Sequence, residues 1–143
     1  MLTASNAVAA VIRVADGRYL MQLRDERPDI WYPGHWGCFG GAVDDGEDPL
    51  EALRRELREE LEFEPRAPEY LTRFDFDFAA IGMRSCYRIY YDVEMNDAER
   101  ARLVLYEGRA VEAFHVEQLL GAMRVTPYDA FALRLLELRG ARR

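Results

Sequence analysis

The chain is short of cysteine, of long apolar runs, of repeats and of positive charge, and each shortage excludes something. Its only cysteines, Cys38 and Cys86, sit in unlike contexts and form no CxxC pair. A disulfide framework is therefore excluded, and both read as buried, reduced thiols of a cytosolic protein. No apolar stretch approaches the roughly 18 residues that a membrane span needs, and the start lacks a basic region followed by a cleavage site. These absences point to the cytoplasm and to no membrane partner. His35 and His115 stand alone, without a second histidine at ligand spacing, and read as ordinary surface or core residues. With 19 basic against 26 acidic residues, the net charge of −7 leaves no basic stripe for nucleic acid. It does not exclude small phosphorylated ligands, because a divalent metal reverses the local sign. No repeat, linker or low-complexity tract divides residues 1–143, which read as one domain, and 50% hydrophobic residues supply a core.

The negative charge is concentrated. Residues 40–63, GGAVDDGEDPLEALRRELREELEF, hold nine carboxylates against Arg54, Arg55 and Arg58, almost the whole excess of the chain. Either this is an unusually acidic solvated helix or its charge awaits a cation.

The flanking pattern is mixed. Ala7 to Val14 and Tyr19 to Leu23 read as a hairpin turning at Asp16-Gly17. Residues 25–35 form a proline-containing loop, and Trp36 to Phe39 a short buried strand. Asp48 caps a helix with Pro49 at its first position and Glu51 at capping-box spacing; the helix runs to about Leu61, short of Pro65. Residues 70–78 alternate, with Phe74, Phe76 and Phe78 on one face. Arg84 to Val93 and Ala110 to Val116 read as strands. Val116 to Ala122 and Tyr128 to Arg139 read as helices, the second with Phe131, Leu135 and Leu138 at helical spacing. Strands and helices without a βαβ rhythm predict an α/β fold with a mixed sheet and helices packed on it.

On a helical wheel, Leu50, Leu53, Leu57 and Leu61 form one stripe that must face the core. Glu60, Glu56 and Glu59 occupy an adjoining arc, and Arg54, Arg58 and Arg55 fall on the other flank. Acids crowded at a half-buried edge repel one another, and hard oxygen ligands of this kind suit Mg²⁺ or Mn²⁺.

Gly41, Glu47, Arg55, Glu56, Leu57, Glu59, Glu60 and Phe63 resemble, in order and spacing, the Nudix box, with Glu62 standing where that family has glycine. The box covers residues 41–63, and the preceding PGHWGCFGG and the flanking strands extend the resemblance over most of the chain. The resemblance implies the family's α/β/α sandwich and metal-dependent cleavage of a diphosphate linked to another group. It implies Glu56, Glu59 and Glu60 as metal carboxylates and the Gly40 carbonyl as a further ligand. Glu47 and Arg55 would then brace the loop against the helix, with Gly41 as part of the same motif. Glutamate at position 62 is expected to end the helix otherwise than by a left-handed turn, aided by Pro65.

In mutator-type members a late Glu-Gly pair faces the metal helix, and Glu107-Gly108 stands at a similar place. Glu107 is named as general base or additional ligand, with Glu56 as the competing base; an ordinary turn is the alternative for the pair. Trp31, Tyr32 and Trp36 either stack on a base or sugar or simply pack. Asp129 lies where mutator-type relatives read a base, and equally at a helix start. Arg24 and Arg27 are candidates for phosphate contacts. The implied substrate is a small nucleotide: a nucleoside triphosphate, or a nucleoside diphosphate joined to a sugar. A sensing domain without turnover is a further alternative, and the protein is expected to act as a monomer or homodimer.

Overall fold

Strand β1 (Ala7–Arg13) is the organising element of the computed structural model, which describes residues 2–141. One of its edges pairs in parallel with β6 (Cys86–Glu94) along its whole length. The other edge is shared. Residues 7–10 pair antiparallel with β4 (Phe39–Ala42), and Ile12 and Arg13 pair with β2 (Tyr19–Leu23). Beyond that point β2 parts from β1 and takes β3 (Trp36–Gly37) on that edge, while β7 (Ala110–Phe114) lies along the whole other edge of β2 and β5 (Glu69–Phe76) covers the outer edge of β6. The short strand expected at Trp36 to Phe39 is thus two strands that serve different halves of one mixed sheet.

Successive side chains of a strand point to opposite faces, so β1 feeds two cores. Val8, Ala10 and Ile12 pack with Leu53, Leu57 and Leu61 of α1 (Pro49–Leu61). Ala9 and Val11 pack with Leu119 of α3 (Val116–Gly121) and with Ala132, Leu133 and Leu136 of α4 (Pro127–Ala141). The result is a helix–sheet–helix sandwich. The inward face of α4 differs from the stripe expected: Phe131 and Leu138 are exposed, and the buried face is Asp129, Ala132, Leu133 and Leu136. Several hydrophobic periodicities coexist in that helix, and packing on Tyr90 and Cys38 selects among them. A short helix α2 (Asp97–Ala101) and a 3₁₀ turn at Ala79–Ile81 complete the chain. Among the described residues no helix is long and apolar enough to cross a membrane.

Helix α1 begins as its sequence dictates, with the Asp48 carboxylate accepting from the amides of Leu50 and Glu51. Among the described residues Glu51 returns no bond, so only half of the capping box forms. Its far end corrects the expectation. Glu62 itself adopts the left-handed conformation (φ 54°, ψ 37°). The Glu62 amide donates to the Arg58 carbonyl, the single bond of a left-handed helix end, and the Phe63 amide reaches the Leu57 carbonyl at 3.4 Å. The carbonyls of Glu60 and Leu61 accept from the amides of Tyr106 and Val104, and Tyr106 Oη donates to Glu62 at 2.8 Å. These ties offset the strain of a side chain at a position that favours glycine.

Candidate functional site

The glycines of β4 let α1 sit directly against the sheet. A Cβ on Gly40 would run into the backbone of Val8 and Ala9, and one on Gly41 would occupy the space of the Glu56 carboxylate. With both side chains absent, the Gly40 amide donates to Glu60 Oε1 at 3.0 Å. The three helix glutamates then grade from buried to wet: Glu60 is 1% exposed, the Glu56 side chain 14% and Glu59 58%.

Arg55 ties this edge to the loop before the helix. Its Nε and Nη2 reach the two oxygens of Glu47 at 2.9 Å each, and Nη2 also donates to the Ala42 carbonyl at 3.0 Å. Its Nη1 reaches Glu56 at 3.0 Å and Glu59 at 3.3 Å. The arginines are therefore not all sorted away from the acids: Arg54 and Arg58 pair with Glu64, while Arg55 turns across to the acidic side. On the wheel it lies beside Glu59, close enough for its long stem to cross. The Arg55 bonds and the Asp44 amide lower the Glu47 carboxyl to about 2.

The opposite pressure acts on the buried acids. Burial, then the charges of Glu107 and Glu56, push the Glu60 carboxyl up to about 9, against the pull of the Gly40 amide and the Gln22 side chain. Burial also raises Glu56; Arg55 opposes this, and Glu59 and Glu107 add to it. Glu107 lines the same cavity as Gly40 and Gly41, which sets the Glu107-Gly108 turn beside this edge. Three acids that cannot comfortably ionise together, beside a backbone bared by glycine, have the donor chemistry of a hard divalent cation site. Among the described residues no three acidic, histidine or cysteine side chains close around one point as they stand, with Glu56 and Glu59 each held by Arg55.

Beside the carboxylates lies a cavity of about 470 Å³. Gly40, Gly41 and Glu107 line it together with Arg24, Trp31, Tyr32, Arg88 and Tyr128. Arg24 Nε donates to the Trp31 carbonyl at 2.9 Å, Trp31 stacks on Phe78, and Tyr32, with a left-handed backbone (φ 49°), sets its ring edge-on to Tyr128. Of the other candidates, Trp36 lies outside the cavity lining, packed edge-on against Phe114 at 4.8 Å. Arg27 is paired with Asp29 at 2.7 Å. His35 hydrogen-bonds the Pro33 carbonyl, and the His115 amide starts α3 by donating to Gln118. Both cysteines are free, Cys38 buried and Cys86 only partly so.

Asp129 is withheld from direct contact with the cavity. It is 2% exposed and accepts from the Cys38 amide at 3.0 Å, from Arg88 Nη2 at 3.2 Å and from the Tyr90 hydroxyl. The residue that reaches the cavity in its place is Arg88, which sequence reasoning passed over. The available signal was its phase: Cys86, Arg88 and Tyr90 share one face of β6, and a cation there needs a buried partner.

The profile of the NUDIX domain matches residues 4–135. An RNA pyrophosphohydrolase of Gluconacetobacter diazotrophicus is 39% identical over 83 residues, 52% of this chain and 49% of that protein. Nucleoside triphosphatase NudI of Escherichia coli is 51% identical over 47 residues, 32% of each. The chain spans about half or less of the length of these curated relatives. Among solved structures, a MutT NUDIX hydrolase from Burkholderia pseudomallei superposes with a TM-score of 0.75 at 27% identity, covering 95% of this chain and 98% of that one. The E. coli ORF135 protein does so with a TM-score of 0.75 at 28% identity, covering 99% and 94%. With the domain match running through nearly its whole length, the chain belongs to the Nudix family.

Proposed function

We propose that the chain is a divalent-metal-dependent pyrophosphohydrolase acting on a diphosphate linkage in a nucleoside triphosphate or a related nucleoside diphosphate derivative. The observation that carries this reading is geometric: Glu60 is bonded to the Gly40 amide at 3.0 Å and Glu56 fills the space over Gly41, while Glu107 lines the same aromatic cavity as those two glycines. Glu56, Glu59 and Glu60, with the Gly40 carbonyl, would hold the ion. Bound Mg²⁺, or Mn²⁺ in its place, supplies positive charge against the phosphates and makes an attacking water more acidic.

The chain's own residues do the rest. Glu107 takes the proton from the water as its oxygen attacks phosphorus and the bridging P–O bond breaks; Glu56 is the competing base. The Glu47–Arg55 brace holds the helix glutamates in register, and most of the acceleration is positioning and charge stabilisation. Trp31 and Tyr32 offer aromatic faces for stacking, and Arg24 a cation for phosphate. Two free thiols accord with a cytoplasmic nucleotide pool.

Pyrophosphate and phosphate release should be measured from nucleoside triphosphates, nucleoside diphosphate sugars and a 5′-triphosphorylated RNA, each with and without Mg²⁺. The acidic surface favours the small nucleotides. Metal-dependent turnover of a nucleotide or nucleotide sugar is expected. Binding without turnover on every compound would replace this reading with a sensing domain, and turnover of RNA alone would replace its substrate class.

A further inference from the structure

Two arginines line the cavity, and Arg88 differs from Arg24 in being held by a buried carboxylate and a tyrosine hydroxyl. Its Nε donates to Tyr90 Oη at 2.8 Å and its Nη2 to Asp129 at 3.2 Å, while the guanidinium carbon lies 4.9 Å from the Tyr128 ring centre and 5.2 Å from that of Tyr90. Asp129 is in turn fixed by the Cys38 amide. Among the described residues no buried side-chain nitrogen or oxygen lacks a hydrogen-bond partner. Nη1 of Arg88 has no protein acceptor among them, so it is open to the cavity that Arg88 lines.

The register of the sheet sets where this tip lies. Ala7 pairs with Ala42 on one side and with Arg88 on the other, so Arg88 starts two strands from the glycine edge, about 10 Å at ordinary strand spacing. That separates it from the carboxylates, where the diphosphate and its cation would belong. Around Arg88 the lining carries Tyr128, with Phe76 edge-on to Tyr128 and Phe78 stacked on Phe76, surfaces suited to a planar ring rather than a phosphate.

Resting on the reading of this cavity as a nucleotide site, we propose that Arg88 selects the base. The base it selects is one that presents two acceptors side by side: guanine through O6 and N7, or cytosine through O2 and N3. Arginine has five N–H donors and no acceptor, and its fork matches adjacent acceptors such as the O6/N7 edge of guanine. Adenine sets an amino donor beside each of its outward ring acceptors, and uracil sets an N–H between its two carbonyls. Both leave a donor facing a donor. Asp129 acts through Arg88, holding the guanidinium in one orientation, and is a positioning residue.

The test is binding of nucleoside monophosphates, by calorimetry in the presence of Mg²⁺, which needs no turnover. GMP or CMP is expected to bind at least about fivefold tighter than AMP and UMP. The analogue lacking the ring nitrogen, 7-deaza-GMP or 3-deaza-CMP, should lose that advantage. In the double variant Arg88→Met with Asp129→Asn, which leaves no buried carboxylate without its cation, the four monophosphates should fall within about twofold of each other. Equal binding of all four by the native chain would overturn the proposal, as would undiminished binding of the deaza analogue. The analogue arm decides even if the double variant does not fold. Absence of pyrophosphate release with the base preference intact would instead remove the hydrolase reading and leave this one standing.

Discussion

Tyr106 reaches across from the segment before the Glu107 turn and donates its hydroxyl to Glu62, the left-handed residue that ends α1. The bond joins a strained helix end to the neighbour of the proposed general base. Glu62→Gly should relieve a backbone strain of about 1 kcal/mol and raise the melting temperature by about 2–4 °C. It should also lower turnover severalfold, because the segment bearing Glu107 loses its side-chain tie to α1. Tyr106→Phe removes only the exposed bond, so its stability should stay within about 0.5 kcal/mol of native while turnover falls in the same way. Thermal melts and steady-state rates on both variants check this; full turnover in Tyr106→Phe would show that the tie does not position Glu107.

Gly41 and Glu56 occupy space that a methyl group at position 41 would contest. Gly41→Ala should push the carboxylate away and destabilise the fold by about 1–3 kcal/mol, the usual cost of forced overpacking. Loss of divalent-ion binding should accompany it, measurable by titration with Mn²⁺. Unaltered Mn²⁺ affinity in this variant would mean that Glu56 does not hold the ion.

The raised Glu60 carboxyl has a definite pH signature. Between the unfolded value of about 4.5 and the folded value of about 9, the folded chain holds a proton that the unfolded chain releases. For this group stability therefore falls as pH rises through that window and levels off above it. Glu47 runs the other way: its lowered carboxyl adds stability above about 4.5, which is lost as pH falls toward 2. Melts of the metal-free protein should show less decline between pH 6 and 9 in Glu60→Gln than in the native chain. Saturating Mg²⁺ should flatten the native decline, since a ligated carboxylate needs no proton. Equal slopes in the variant and the native protein would place the shifted group elsewhere.

Removing single charges separates the roles of the acids. Glu59→Gln should lower turnover by at least about 10²-fold with little loss of stability, because Glu59 is exposed and its repulsion of Glu56 is relieved. If Glu107 is the base, Glu107→Gln should lose about 10²–10⁴-fold in kcat while Mn²⁺ affinity stays close to native. If Glu56 is the base and a ligand together, Glu56→Gln should lose both. Single-turnover rates with parallel Mn²⁺ titrations tell the two apart.

What was legible in the sequence was whatever local spacing dictates. The bounds of α1, its Asp48 cap, its leucine stripe and the β1–β2 hairpin all depend on residues a few positions apart. The acidic arc was legible for the same reason. What escaped depends on distant partners. The lone Arg88 acquires meaning only when β6 is laid beside β1 and α4 covers both, bringing Asp129 from 41 residues away. The inward face of α4 was misjudged because Phe131 offered as good an apolar stripe as Leu133, and only the sheet beneath decides. Helix α2 had a readable signal that went unused: Asn96 and Glu99 form a complete capping box.

The threefold partnership of β1 has a consequence for how the chain comes to be folded. Its parallel neighbour β6 emerges some eighty residues later, so at about 5–20 residues per second a nascent chain waits on the order of ten seconds to satisfy that edge. Throughout that interval Val8 to Ile12 present an apolar ribbon with open backbone groups, the kind of surface that chaperones shield and that invites association between neighbouring nascent chains.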